Sequence, residues 1–364
     1  MFLPESYFIA VIFCVVTMLC WGSWGNSQKA AGKTWRFELF YWDYVLGVTL
    51  MALAFAFTLG SQGDLGRSFL ADLQQGSVEA LGSAFLGGVV FNIANILLVA
   101  AIAIAGMSVA FPVGIGLALV LGVILNYMAD KAGDPVLLFG GVTLVTLAII
   151  LNAMAYGKLP KPEEPGASKK KGIILALVCG ILMSTFYYFV ANSMAKVDVS
   201  KADVPASLVQ EVKDGVLPLT KEMLQIPNAA LQTGKLTPYT ANVVFSLGVL
   251  LSSFFVVTFV QMKPFVGEPV CPCAYFKGSV KEHLWGLIGG GIWAVGMSLN
   301  VLAAGVASPA VSYGLGQGAT LVAAIWGVFI WREFKTAPRG TGKILFAMFL
   351  SFLLGLGLII YAKM

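Results

Sequence analysis

Apolar residues dominate ten segments of this chain, and short polar stretches separate them. The ten segments lie near residues 7–28, 39–59, 80–105, 107–128, 136–156, 172–195, 238–262, 284–304, 306–331 and 341–362. A helix of about 20 apolar residues crosses the hydrocarbon core of a bilayer, whereas the strands of a membrane barrel are shorter and alternate. The pattern therefore predicts an all-α integral membrane protein with ten transmembrane helices. No positive residue precedes the first segment, which is too long for a signal core, so we expect it to be retained.

The composition excludes an ordinary soluble domain, and the motifs favour no enzyme. The chain is 58% hydrophobic and 11% charged, against about 45–50% and about 25% in globular proteins. It contains no Gly-rich loop ending in Gly-Lys-Ser/Thr, no metal-ligand cluster and no nucleophile beside a base. It also lacks the filter-like loop or acidic ring of an ion channel. A carrier in the lipid bilayer, driven by a gradient and needing no cofactor, remains.

The five cysteines do not indicate a disulfide framework. Three of them, Cys14, Cys20 and Cys179, fall within predicted helices, where cysteine behaves as a small apolar residue. Cys271 and Cys273 flank a proline in a loop, and the chain's single histidine, His283, is not enough to complete a metal site with them. We interpret this stretch as an ordinary loop.

The distribution of charge predicts the orientation of the helices. Most basic residues fall in one set of connections: Lys29, Lys33 and Arg36; Lys158, Lys161, Lys169, Lys170 and Lys171; Lys263, Lys277 and Lys281; Arg332, Lys335, Arg339 and Lys343. Short loops rich in Lys and Arg stay in the cytoplasm. We therefore expect a multi-pass protein of the cell (inner or plasma) membrane with both termini outside. These charges require no nucleic-acid partner.

The chain divides into two halves of five predicted helices. Residues 158–171 read as a cytoplasmic linker, because the stretch has several prolines and no apolar period. The predicted units are residues 1–157 and residues 172–364, with an outer loop at about 196–237. An odd number of helices in each half implies two inverted repeats, the arrangement of many secondary carriers. Within that loop, residues 206–232 favour short surface helices, as a passive elaboration or as a lid.

Gly-rich, weakly polar stretches recur in both halves and mark the expected substrate path. They are Gly87 to Asn92 with Phe111 to Gly116, and Gly289 to Trp293 with Tyr313 to Gly318. Apolar helices that are interrupted by glycine or proline at corresponding positions of the two halves usually indicate a transporter's binding site. Close helix packing is the alternative explanation for each single glycine.

The candidate substrate contacts inside the predicted helices are mostly neutral and carry side-chain amides. They are Asn92, Asn95, Asn192, Asn300 and Gln317. Amides both donate and accept hydrogen bonds, which suits a neutral ligand with hydroxyls, amides or ring nitrogens. The alternative is that they bond neighbouring helices.

Two tryptophans are candidates for stacking on a planar or sugar ligand. Trp293 lies near the middle of the eighth helix, and Trp21 lies near the end of the first. Tryptophan at a helix end is also a common anchor at the membrane interface. Trp293 is therefore the stronger candidate, and Trp21 is the next.

One acid lies within a predicted helix at a depth where it could exchange protons. Asp43 is about one turn into the second helix, with Glu38 outside it, and both are candidate proton-coupling residues. The alternative is an interfacial acid that pairs with Arg36 or Lys33. Glu333, beside Arg332, is interpreted as part of a structural ion pair.

Several short stretches resemble the ureide permease family of the drug/metabolite transporter superfamily, which is related to rhamnose–proton symporters and glucose/ribose porters. The matching stretches are Trp42-Asp43-Tyr44, Gly87 to Asn95, Leu125-Asn126-Tyr127 with Asp130-Lys131, Leu236 to Ala241, and Gln317 through Trp326 to Glu333. Position by position, Asp43, Asn95, Asn126 and Gln317 match residues of the same type in that family. Met297 departs from it, since relatives tend to carry Asn there; Asn300, one turn later, is a possible substitute.

The resemblance implies proton-coupled uptake of a small neutral polar solute, a ureide, nucleobase or monosaccharide, at a site between two five-helix repeats. An exporter of drugs or metabolites is the main alternative, because the superfamily includes such proteins. A deep acid and an apolar cavity would favour that alternative, and the amides argue against it. A membrane receptor that transports nothing is the third.

Overall fold

The computed structural model describes residues 1–4, 6–32, 35–62, 66–159, 169–196 and 231–364. Within these ranges, ten helices are long and apolar enough to cross a membrane, and we label them α1 to α10 in chain order. They are Tyr7–Ala31, Phe37–Phe57, Val78–Ala105, Phe111–Ala129, Pro135–Gly157, Lys170–Ser193, Pro238–Met262, Val280–Ala307, Pro309–Ile330 and Thr341–Tyr361. The all-α, ten-helix prediction is confirmed. Most of the predicted linker and nearly all of the predicted outer helices or lid lie outside the described residues.

Local sequence signals explain where several helices begin. The side chains of Ser77, Asp134, Thr237 and Ser279 accept hydrogen bonds from backbone N–H groups of the first turn. These N–H groups have no partner within the helix, so a capping oxygen stabilises them. At the start of α8, the side chain of Glu282 in turn accepts a hydrogen bond from the Ser279 backbone N–H. This reciprocal cap defines the first turn of α8, which carries a site residue.

The helices pack in pairs that recur between the two halves. Helix α3 packs on α6 and α7, while α8 packs on α1 and α2. Helix α4 packs on α6, α9 packs on α1, and α5 packs on α10. If α1 to α5 are matched in order with α6 to α10, the packing of α3 on α6 corresponds to that of α8 on α1, and the other pairings correspond in the same way. This is the arrangement expected of two related halves. The inverted repeat and its boundaries stay predictions.

Glycines allow the closest of these crossings. A β-carbon at Gly88 of α3 would overlap the carbonyl oxygen of Phe245 in α7, and one at Gly290 of α8 would overlap that of Tyr44 in α2. Gly88 and Gly290 are each the eleventh residue of a 28-residue helix. Only a residue without a side chain lets two backbones approach this closely. The two crossings are thus equivalent in position and in contact.

Helices α3 and α8 also end in the same way. Gly106 follows α3 with φ 79°, and Ser308 follows α8 with φ 75°. Left-handed backbone is common for glycine but uncommon for other residues. At Ser308 the side chain accepts a hydrogen bond from the Val311 backbone and caps the next helix. These two sharp turns place α4 directly after α3, and α9 directly after α8.

The helices that follow these turns, α4 and α9, are irregular. In α4 the stretch Phe111–Gly116 is π-helical and contains Pro112. Helix α9 runs regularly from Pro309 to Gly316, is interrupted at Gln317 and Gly318, and continues from Ala319 to Ile325. Such interruptions free backbone groups and side chains for other contacts. They coincide with the glycine-rich stretches that the sequence indicates.

A buried ion pair closes the end of the bundle that carries both termini. Asp72, fully buried in the short helix Phe69–Gln75, accepts hydrogen bonds from the Arg67 guanidinium at 2.8 Å and the Thr237 backbone N–H at 2.6 Å. The carboxylate thus joins the connection before α3 to Thr237, the residue that caps α7. The sequence gives no sign of this partnership, because the two sides lie 165 residues apart.

Replacing Asp72 by Ala should lower the stability of the folded protein. Removal of one partner leaves the Arg67 charge largely buried without compensation, which costs about 3–5 kcal/mol. We expect a clear fall in the melting temperature of the detergent-solubilised protein. Glu79→Ala, at an exposed acid of α3, is the control. Equal melting temperatures for the two variants would contradict this account of Asp72.

The opposite end, which we call the basic end, contains the last turns of α1 and α5, the first turn of α6, and the connections 263–279 and 331–340. There the Glu333 carboxylate accepts from Lys29 at 3.1 Å and from the Tyr156 hydroxyl at 2.7 Å. The structural ion pair expected at Glu333 is therefore present, but its partner is Lys29 of the other half rather than the adjacent Arg332. One interpretation of the sequence is wrong at this end: Cys271 and Cys273 form a disulfide.

Candidate functional site

An aromatic cluster lies where α1, α2, α3, α7 and α8 meet. It comprises Trp21, Tyr44, Phe91, Phe245 and Trp293. The ring of Trp21 is nearly parallel to that of Trp293, with centroids 5.7 Å apart, and its Nε1–H donates to the Trp293 carbonyl oxygen at 3.2 Å. Phe91 and Phe245 lie 4.6 and 6.0 Å from the Trp293 ring. The two predicted tryptophans are therefore brought together, and Trp21 belongs to the cluster rather than to an interface belt.

Tyr44 is a member of this cluster that the sequence analysis missed. Its ring lies 4.8 Å from that of Trp24 and 6.5 Å from that of Trp293. The Tyr44 hydroxyl is buried and has no hydrogen-bond partner within the described part of the chain. An unpaired buried hydroxyl is costly, so it is a natural contact for a polar ligand. Its neighbour Asp43 drew attention to this segment, but tyrosines near helix ends are too common to stand out.

Asn92 and Asn95 share a face of α3 but differ in their hydrogen bonds. The Asn92 amide accepts from the Tyr41 hydroxyl at 2.9 Å and donates to two serine hydroxyls of α7. Its donors and acceptor are thus engaged in holding α2, α3 and α7 together. Among the described residues, Asn95 donates only to the Tyr41 hydroxyl, at 3.2 Å. Of the two predicted residues, Asn95 retains capacity for a ligand, and Asn92 has a packing role.

Asn300 and Gln317 lie near the interruption of α9. The Asn300 amide nitrogen donates to the Ser312 carbonyl oxygen at 2.9 Å, while its side-chain oxygen is buried without a partner among the described residues. A β-carbon at Gly316 would lie 2.9 Å from the Trp21 ring and 3.0 Å from the Asn300 amide nitrogen. Asn300 is therefore close to Trp21. The Gln317 side chain makes no hydrogen bond in the described structure and is 9% exposed.

The other amides lie apart from this group. Asn192 is exposed at the end of α6, where its carbonyl oxygen accepts from Lys235. Asn126 is buried in α4 and donates to the Gly122 carbonyl oxygen of its own helix, leaving its side-chain oxygen without a partner in the described ranges. Met297 is fully buried in α8. The amide next to the tryptophans in α8 is thus Asn300.

Asp43 forms a second polar site near the basic end. Its buried carboxylate accepts from the Tyr275 hydroxyl at 2.6 Å, and His283 Nδ1 lies 3.0 and 2.9 Å from its two oxygens. Tyr275 belongs to the short helix Pro272–Lys277, and His283 to the first turn of α8. Trp35 packs against the imidazole with ring centroids 5.2 Å apart. We call Asp43, Tyr275 and His283 the carboxylate–imidazole site.

This geometry gives Asp43 a different partner from Arg36, one of the two expected in the alternative interpretation. Arg36 forms its ion pair with Glu38 at 2.6 Å rather than with Asp43, and Lys33 lies outside the described residues. Glu38, the second predicted proton-coupling acid, is thus held by Arg36. His283, which has no partner in the sequence pattern, is the partner of Asp43, 240 residues away. The described residues contain no group of His, Cys, Asp and Glu that could hold a metal.

The two sites have different chemistry. The aromatic cluster and its neighbouring amides present flat apolar faces, hydroxyls and amides, which suit a neutral polar molecule. The carboxylate–imidazole site can gain or lose a proton. Tyr275, outside the membrane-spanning segments, has its pKa raised by burial and by the Asp43 carboxylate. Its hydroxyl therefore stays protonated and remains a donor.

Comparisons with known proteins identify the relatives of this chain. The ureide permease family profile matches residues 40–159. Ureide permease 4 and Ureide permease 1 of Arabidopsis thaliana are each 23% identical to it, over 97% and 99% of this chain and 96% and 98% of their own lengths. A solved structure described as "Crystal structure of protein" is 14% identical, covers 96% of this chain and 98% of its own, and superposes with a TM-score of 0.52, which supports the fold. With its ten apolar helices and this similarity to the ureide permeases over nearly its whole length, the chain is a multi-pass membrane transporter, not an enzyme.

Proposed function

We propose that this transporter is a proton-coupled importer of a small neutral polar solute. The observation that carries the proposal is the stacked pair of Trp21 and Trp293, with the Tyr44 hydroxyl and the Asn300 amide oxygen unpaired nearby. No carboxylate or amine belongs to this group, so an ionic solute would find no counter-charge in it. A planar ureide or nucleobase, which carries several amide groups, matches this set best. A monosaccharide is the next candidate.

Transport would follow from alternating access of the solute site to the two sides of the membrane. Two sets of polar contacts oppose such a motion: Lys29 with Glu333 at the basic end, and Asp72 with Thr237 at the other end. Opening toward either side requires that one set separates while the other holds. The irregular helices around Pro112 and Pro309 supply the flexing points.

Proton coupling would use Asp43. Coupling requires that solute and proton favour the same conformation, because a ligand shifts an equilibrium only by its differential affinity. Asp43 lies on α2, the helix that also carries Tyr44 of the aromatic cluster. Helix α2 crosses α8 closely at Gly290, and α8 carries Trp293. The acid and this tryptophan therefore lie on two helices in direct contact. A movement of α8 therefore changes the surroundings of the acid and of the solute together.

The experiment that tests this function is uptake into proteoliposomes with an imposed inward proton gradient. Labelled uracil and allantoin are compared with glucose, ribose and rhamnose. Accumulation of one of them, lost on adding an uncoupler, is the expected result. Accumulation of none of them, with proton leak on adding amphipathic cations, would overturn the importer and favour an exporter.

Gln317→Ala should weaken solute binding without unfolding the protein. The side chain has no partner in the described structure, so its loss removes a ligand contact rather than a packing contact. One hydrogen bond to a neutral ligand contributes about 0.5–1.5 kcal/mol, which corresponds to a rise of several-fold in KM. Gln74→Ala, at an exposed residue of the short helix Phe69–Gln75, is the matched control. A folded Gln317→Ala protein with unchanged KM would remove this residue from the site.

A further inference from the structure

The hydrogen-bond pattern around Asp43 favours one tautomer of His283. Tyr275 donates to one carboxylate oxygen, and the imidazole Nδ1 lies within 3.0 Å of both oxygens. An Nδ1–H group that donates to both oxygens of an ionised Asp43 fits these two distances. A protonated Asp43 would donate to Nδ1 from only one of its oxygens. The carboxylate is therefore the acceptor and Nδ1 carries the hydrogen. In the neutral ring, Nε2 then has the free lone pair.

His283 is the more accessible member of the Asp43–His283 pair. The His283 side chain is 25% exposed, whereas the Asp43 side chain is 3% exposed. A β-carbon at Gly278 would come within 2.7 Å of Nε2, so this nitrogen faces the turn between the helix Pro272–Lys277 and α8. No described residue forms a hydrogen bond with Nε2. The imidazole, rather than the carboxylate, is therefore the member of the pair that solvent can contact.

Other charged groups near the imidazole are engaged or point to solvent. On α8, the Glu282 carboxylate is bound to Ser279, and Lys281 is exposed. On the helix Pro272–Lys277, Tyr275 donates to Asp43 and Lys277 is exposed. On α2 and the segment before it, Glu38 and Arg36 pair with each other, and Trp35 contributes only its ring. Asp43 is thus the one carboxylate in hydrogen-bond contact with the described imidazole.

We propose that His283 Nε2 accepts the coupling proton and that Asp43 is its fixed counter-charge. This inference rests on the proposed function and deepens it, since it assigns the proton to a residue other than the acid. Without the proton the site carries one net negative charge; with it, imidazolium and carboxylate sum to zero. Burial disfavours net charge, so protonation favours the state in which Tyr275 and its helix cover the site, and deprotonation favours an open, hydrated state.

The chain's single histidine allows a direct test. Histidine labelled selectively with ¹⁵N gives one imidazole in the intact protein in nanodiscs, followed by NMR from pH 4.5 to 9. We expect Nδ1 to stay protonated throughout while Nε2 titrates. In Asp43→Asn the imidazole signals should differ from those of the original protein, because an amide replaces the carboxylate that accepts from Nδ1–H. A ring that stays in one form across this range would overturn the proposal.

Transport by the same variants separates the proton site from the proposed function. His283→Gln should lose proton-driven accumulation at every pH while still exchanging labelled for unlabelled solute. Asp43→Asn should regain accumulation on acidification. Phe276→Leu, at an exposed residue beside Tyr275, is the control for the covering helix. Accumulation that survives in His283→Gln would overturn the assignment; an Asp43-dependent titration in a protein that moves no solute would support the proton site and overturn the importer.

Discussion

Gly290→Ala is expected to prevent the recovery of stably folded protein. The added β-carbon would overlap the Tyr44 carbonyl oxygen and lie 2.8 Å from the Val48 backbone nitrogen, so two backbones would have to separate. Overpacking of a filled core costs about 1–3 kcal/mol and more where the obstacle is backbone. The displaced helix, α2, carries both Asp43 and Tyr44. We therefore expect loss of the monodisperse peak in size-exclusion chromatography, or a strongly lowered melting temperature, together with loss of transport.

Gly305→Ala is the matched control for this substitution. Gly305 lies in the same helix, α8, and a β-carbon there would meet no atom within 4 Å. Alanine also has a higher helix propensity than glycine, so this variant should be at least as stable as the original protein. Two variants of equal stability would show that α2 and α8 do not cross as closely as described.

The equivalent crossing in the other half gives an independent comparison. Gly88→Ala would place a β-carbon against the Phe245 carbonyl oxygen, whereas Gly82→Ala in the same helix would meet no atom within 4 Å. If the halves are related repeats, Gly88→Ala should lower the melting temperature relative to Gly82→Ala. The difference should be similar to that between Gly290→Ala and Gly305→Ala. The sequence predicts this relationship from the recurrence of paired glycines, although only the fold identifies which glycine meets which carbonyl.

The helices could be predicted because the bilayer constrains their length and composition directly. A helix that crosses hydrocarbon must hydrogen-bond its backbone polar groups internally and carry apolar side chains over its whole span. Each such helix therefore appears in the sequence as a long run of apolar residues. The glycine-rich stretches likewise indicated where α9 would be irregular around Gln317. These properties depend on residues that are neighbours in the chain.

Partnerships between distant residues could not be predicted in the same way. Asn92 and Asn95 look equivalent on one helix face, and only the serines of α7 distinguish a packing amide from an available one. His283 lacks metal partners in the sequence, so no motif singles it out, although the fold places it against Asp43. The pairing of Cys271 with Cys273 was also missed, because a short loop with two cysteines does not by itself indicate a disulfide.

Asp43→Asn is the second substitution with a large expected effect. The amide keeps the size of the side chain and can still accept from Tyr275, but it removes the negative charge that stabilises a protonated partner. At neutral pH, accumulation of solute driven by an inward proton gradient should fall to the level seen without a gradient. Exchange of labelled for unlabelled solute should persist, because the aromatic cluster and its amides are unchanged.

Glu268→Gln provides the control for charge at the same end of the bundle. Glu268 is an exposed acid of the connection 263–279, and it contributes only its backbone carbonyl to Arg36. Its substitution changes net charge as Asp43→Asn does, but leaves the carboxylate–imidazole site intact, so gradient-driven accumulation should be retained. A dependence of uptake on pH that is the same in Asp43→Asn as in the original protein would exclude Asp43 from coupling. Loss of exchange as well as accumulation would instead assign Asp43 to the folding of α2 against α8.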